Sequence, residues 1–134
     1  MHTDAWKKYS NFSEVEPWGN PSLIDEQLVI LLQSIRDHAQ KPIIIHAGTQ
    51  GTHAPRSLHY IGKAVDFHIQ NMCVLDQYLI AEKIVGCGGI GIYPFWNNPG
   101  LHIDIRHTHL GARWIQSADG SYQALNAPNF YLIL

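Results

Sequence analysis

Apolar residues recur at helical spacing from Ser22 to about Gln40, with Leu23, Ile24, Leu28, Leu31, Leu32 and Ile35 on one face. Asn20 and Pro21 supply an N-cap and a first-position proline. The pattern therefore predicts one amphipathic helix, and Lys41-Pro42 ends it. Ile43, Ile44 and Ile45 form a β-branched run that reads as a short buried strand. Residues 46–57 (HAGTQGTHAPRS) carry the glycine, threonine, serine and proline of a loop. A strand is predicted over Ala64–Ile69 and a second helix from about Val74 to Val85. The glycine-rich stretch from Gly86 turns tightly into a strand over Gly89–Tyr93, and Pro94 to Gly100 reads as a loop. Leu101–Arg106 alternates apolar and polar residues with the period of a strand. The tail from His107 onward, with Trp114, Tyr122, Phe130 and Tyr131, is expected to pack back as short strands or turns. Helix and strand interleave without regular β–α alternation. This favours the α+β class, a small antiparallel sheet with helices on one face, over a doubly wound fold.

Composition narrows the function. The chain has 134 residues, which fits one domain spanning 1–134. A hydrophobic fraction of 46% supports a core without disulfides, and the charged fraction is only 15% with net charge −2. That balance argues against nucleic-acid partners bound by phosphate neutralisation and offers no basic patch to an anionic membrane. The first twenty residues lack an apolar core of signal-peptide length, and no run approaches the roughly 20 apolar residues of a membrane span. The chain is thus expected to be made as a soluble protein with no export signal of its own. Cys73 and Cys87 have no metal or redox spacing and read as reduced, mostly buried thiols. Nine histidines equal the lysines and arginines combined, which directs attention to metal ligation and proton transfer.

Two short stretches carry the candidate chemistry. His59 offers an imidazole and Asp66 a carboxylate, and a turn at Gly62 followed by a strand would bring both onto one metal. On the later strand His102 and Asp104 share one face, because alternate strand residues point the same way. Leu101, Ile103 and Ile105 take the opposite, apolar face. Three nitrogen or oxygen ligands with a fourth position open are the pattern of a catalytic zinc site, in which bound water ionises near pH 7. A neighbouring carboxylate or imidazole can then carry protons. Ligation by Asp104, with His102 as the base, is the rival assignment. His46 and His53 flank the 46–57 loop and either could line a cleft. His68 could face the same cleft or solvent. His107 and His109 read as turn or surface residues.

The run SLHYIGKAVDF (57–67) resembles the S-x-H-x-x-G-x-A-x-D signature of zinc murein metallopeptidases of the D-Ala-D-Ala carboxypeptidase type, which share the hedgehog/DD-peptidase fold. Ser57, His59, Gly62, Ala64 and Asp66 match it at the correct spacing. GGIGIYP followed by LHIDIR resembles the group's second signature, and Arg113-Trp114 is similar to a downstream R-W pair. The resemblance runs from about residue 22 to residue 114. It implies zinc as cofactor, His59, Asp66 and His102 as its ligands, and Asp104 beside the site as catalytic base or as an anchor for a ligand. It also implies peptidoglycan stem peptides or crosslinks as substrate, cut next to a D-amino acid by a carboxypeptidase or an endopeptidase.

One departure stands out. Where many members carry S-G-Y-R, with an arginine that grips the substrate, this chain has Ala47-Gly48-Thr49-Gln50 in a shortened loop. Gln50 can donate a hydrogen bond without charge, and Arg56 or Arg106 could replace the arginine. Ser57, Tyr93 and Trp96 complete the candidate substrate contacts. Without a signal peptide, the resemblance implies a cell-wall enzyme of phage or prophage origin, such as a lysis enzyme or tail component. The alternative is a non-catalytic, metal-retaining relative that acts as a binding or structural module.

Overall fold

The computed structural model describes residues 1–133; the side chains of Tyr131 and Ile133 and all of residue 134 lie outside the described residues. Two α-helices, α1 (Glu26–Ala39) and α2 (Val74–Val85), pack on each other and on one face of a six-stranded sheet. The strands are β1 (Ile43–Ala47), β2 (Ala64–Ile69), β3 (Gly89–Tyr93), β4 (Gly100–Asp104), β5 (Arg113–Gln116) and β6 (Tyr122–Ala124), arranged β1-β2-β4-β3-β5-β6. The fold is α+β, as the pattern predicts. Among the described residues no helix is long and apolar enough to cross a membrane.

The sheet is mixed, which corrects the expectation of an antiparallel one: β3 and β5 run parallel. The cause lies in the β3–β4 pairing. That pair is antiparallel with Asp104 opposite Gly89, so β4 ends beside the start of β3. The loop after β4 then delivers β5 to the beginning of β3's free edge, and Gly111 N–H bonds Cys87 O at 2.7 Å to seal the return.

Helix α1 starts later than its apolar pattern suggests. Asn20 and Pro21 open a separate 3₁₀ turn, Pro21–Leu23, and Asp25 caps α1 by accepting from Gln27 N–H at 2.9 Å. A side-chain cap fixes where the first helical donors are satisfied, and that overrides apolar periodicity. Asp25 also pairs with Lys63 at 3.0 Å, tying α1 to the turn before β2. Burial alone would raise the Asp25 carboxyl, but Lys63 and the Gln27 N–H outweigh it and hold the group below its ordinary value near 3.8. A depressed folded-state value contributes stability above the unfolded value and loses it as pH falls through the folded one. Asp25→Ala should thus cost about 0.5–2 kcal/mol at pH 7. The gap between the denaturation midpoints of the two proteins should narrow as the pH falls below the ordinary carboxylate value near 3.8; a gap that stays constant would reject the charge-linked part.

One core unites the layers. Val65, Phe67 and Ile69 of β2, Ile90 and Ile92 of β3, Leu101 and Ile103 of β4, and Ile115 of β5 meet Leu28, Leu32 and Ile35 of α1. The N-terminal segment adds Trp6, Phe12 and Trp18, with the Trp6 and Trp18 rings 5.1 Å apart. The two cysteines depart from the expected burial. Both are free and exposed, Cys73 at the N-cap of α2 and Cys87 in the glycine turn that leaves it.

Candidate metal centre

Strand parity gives each sheet face one job. The residues alternating with the core positions of β2 and β4 point away from the helices, and the register sets Asp66 directly opposite His102 and Ala64 opposite Asp104. His59 arrives from the 3₁₀ turn Leu58–Ile61, capped by Ser57, whose Oγ accepts from His59 N–H at 3.2 Å. Gly62 ends that turn at φ +73°, and a Cβ there would strike the Leu23 carbonyl. Glycine is therefore required at Gly62 both for its left-handed backbone and for this close approach.

Three donor atoms converge. His59 Nε2 lies 3.2 Å from Asp66 Oδ1 and 3.2 Å from His102 Nδ1, and His102 Nδ1 lies 3.1 Å from Asp66 Oδ1. The outer nitrogens of both rings face acceptors: His59 Nδ1 donates to Gly48 O at 2.7 Å, and His102 Nε2 donates to Asp104 Oδ2 at 2.8 Å. A carbonyl and an arginine-paired carboxylate only accept, so in the neutral rings the inner nitrogens are lone pairs. Two lone pairs and a carboxylate oxygen thus crowd one point without a proton between them, an arrangement a cation relieves. Tetrahedral coordination with bonds of about 2.0–2.2 Å separates ligand atoms by roughly 3.3–3.6 Å, close to what the three atoms show. His59, Asp66 and His102 could together hold a metal ion.

Electrostatics agree. Burial alone would raise the Asp66 carboxyl, yet positive charge at His102 and His59, where a bound cation would sit, holds it well below the ordinary carboxylate range. Burial would lower His102, but Asp104 and Asp66 on either side raise it. Each shift marks a place that favours positive charge.

Asp104 stands behind His102 with no lone pair to spare. Its Oδ1 accepts from Gly89 N–H at 2.9 Å, from Arg106 N–H at 3.3 Å and from Arg106 Nε at 2.8 Å; its Oδ2 accepts from Arg106 Nη2 at 2.8 Å and from His102. Against the penalty of burial, Arg106 and His102 hold its carboxyl far down. Such a carboxylate orients a ligand imidazole. Arg106 lies over the Trp114 ring, 5.2 Å from its centroid. Gly89 and Gly91 leave room for this layer: a Cβ on Gly89 would sit 2.6 Å from Asp104 Oδ2, and one on Gly91 2.6 Å from the Trp114 ring.

No family model, curated protein or solved structure matches this chain.

A cleft of about 970 Å³ opens over the three donors. Arg56, Ser57, Tyr93, Trp96 and Arg106 all line it. Tyr93 and Trp96 stack at 4.1 Å to make one wall. Arg106 is committed to Asp104, whereas Arg56 is exposed at the rim. Gln50 lies outside the cleft lining: its amide bonds Gly48 N–H at 2.9 Å and Pro17 O at 2.7 Å, bracing the loop that carries the His59 acceptor. His53, His107 and His109 line the cleft, while His46 and His68 pair with each other at 2.6 Å outside its lining. The sequence reading gave no cleft role to Trp114, Gln116 or Tyr122, which also line it. Alternation within Arg113–Gln116, with Ile115 buried, is the signal that would have exposed the first two.

Proposed function

We propose that this chain is a zinc peptidase that hydrolyses peptide bonds of bacterial peptidoglycan, of the D-Ala-D-Ala carboxypeptidase type that its two motifs resemble. The observation that carries the reading is the convergence of three lone-pair donors on the floor of an open cleft, each imidazole held from behind by an acceptor. The donor set, two imidazoles and one carboxylate, suits zinc. Zinc bound there would supply an activated water and a Lewis acid for the scissile carbonyl. Asp104 holds the His102 ring in the plane of its acceptor, and Arg106 keeps Asp104 ionised. Tyr93 and Trp96 offer an apolar wall to the peptide, and Arg56 offers a cation to a substrate carboxylate. Preference for a bond beside a D-residue and action on the wall follow from the motif resemblance.

One observation favours a second reading, a metal-retaining module without catalysis. Among the described residues, the only carboxylates lining the cleft are Asp66, a metal ligand, and Asp104, fully hydrogen-bonded, so no free carboxylate stands ready as a base. Digestion of purified peptidoglycan separates the two. The peptidase releases new amino termini, stops on chelation and recovers with zinc; a protein that binds zinc yet releases none is the module.

A further inference from the structure

The imidazole of His53 lies flat on that of His59, with ring centroids 3.9 Å apart and planes 10° from parallel. No motif position marks His53, and it belongs to no ligand set. It is nevertheless held at several points. His53 Nε2 donates to Gln50 O at 2.8 Å. The Tyr60 hydroxyl accepts from His53 N–H at 2.8 Å and donates to His53 O at 3.0 Å, and the Tyr60 ring meets His53 edge-on. Tyr60 directly follows His59, so the loop from 53 to 60 is closed on itself by a single hydroxyl.

We infer that His53 is a positioning residue for the metal centre, fixing the ring plane of His59. This rests on reading His59, Asp66 and His102 as a metal site. The His59 ring has one in-plane tether, Nδ1 to Gly48 O. One hydrogen bond leaves a ring free to rock about its own axis, which would swing Nε2 off the point shared with Asp66 and His102. A parallel ring against its face removes that freedom. His102 supplies only an edge contact, 5.0 Å away at 69°, and gives no such support. Metal ligation also withdraws charge from His59, and the π face of a neutral aromatic favours an electron-poor partner. The stack is thereby stronger when metal is bound, which couples His53 to affinity as well as to loop order.

The test titrates metal-free protein with Co²⁺ and Zn²⁺, reading the visible Co²⁺ bands for affinity and ligand geometry. His53→Ala is expected to weaken binding by about tenfold to a hundredfold, the usual effect of losing an outer partner of a ligand, and to alter the Co²⁺ bands. His53→Phe keeps a flat face without an imidazole and is expected to recover most of that loss. Thermal melts of the metal-free variants report loop order separately. Wild-type affinity and bands in His53→Ala would overturn the inference, as would His53→Phe binding as weakly as His53→Ala. If wild-type protein takes up neither ion, the metal-centre reading falls and this inference with it. If wild type binds and His53→Ala binds equally well, only the inference falls.

Discussion

Alanine at His102 or Asp66 is expected to abolish stable metal uptake and, with it, any metal-dependent peptide hydrolysis. Both side chains come from neighbouring strands at opposed register positions, so removing either leaves two donors where three converge. The loss should exceed the roughly tenfold to hundredfold that follows from removing an outer partner of a ligand. Asp104→Asn calibrates the comparison. The carboxylate accepts from two backbone N–H groups, from Arg106 twice and from His102, which suits an anchor better than a base. The asparagine variant should therefore bind zinc about tenfold to a hundredfold more weakly, with activity partly restored by excess zinc. A general base would behave otherwise: zinc content would stay full while turnover fell on the order of a hundredfold. Metal content after dialysis, measured beside peptidoglycan digestion, reads both. A His102→Ala protein that retains one tightly bound zinc at the same site would refute the ligand assignment.

Trp18→Ala should be among the most destabilising single changes in the fold, at about 3–5 kcal/mol. Trp18 is fully buried (0% exposed), against Trp6 and Phe12. Its indole N–H donates to Ser13 O at 2.7 Å. Removing the ring opens a large cavity in a segment with no regular strand or α-helix to close over it. The effect reaches the site, because the Trp18 carbonyl accepts from Thr49 N–H at 2.7 Å. Thr49 adjoins Gly48, whose carbonyl tethers His59. Urea unfolding should show the midpoint fall with little change in slope. A loss under about 1 kcal/mol would mean the N-terminal aromatics are a covering rather than core.

The site was legible where chemistry is local. His59 and Asp66 lie seven positions apart, and a glycine turn running into a strand is enough to bring them together. His102 and Asp104 share a strand face, and parity alone put them there. Residues whose roles depend on distant partners were not legible. Gln50 looked like a substrate contact in a shortened loop, yet its amide reaches back to Pro17. Arg106 looked free, yet it folds onto Asp104 two positions away. His53 was one loop histidine among several until its ring lay on His59. The histidine count pointed toward metal chemistry but could not separate ligands from His46 and His68, which bond each other.

Hydrophobic periodicity by itself determined that this chain builds two helices against a sheet, and in which segments. Burial of a 3.6-residue stripe and of alternate strand residues is a local demand that any tertiary arrangement must meet. Strand order, the parallel β3–β5 pair and the stance of Asp104 behind His102 were decided only in three dimensions. Several pairings satisfy the same apolar pattern. The choice among them is made by loop return, by where a cap satisfies the first donors of α1, and by which buried polar groups find partners.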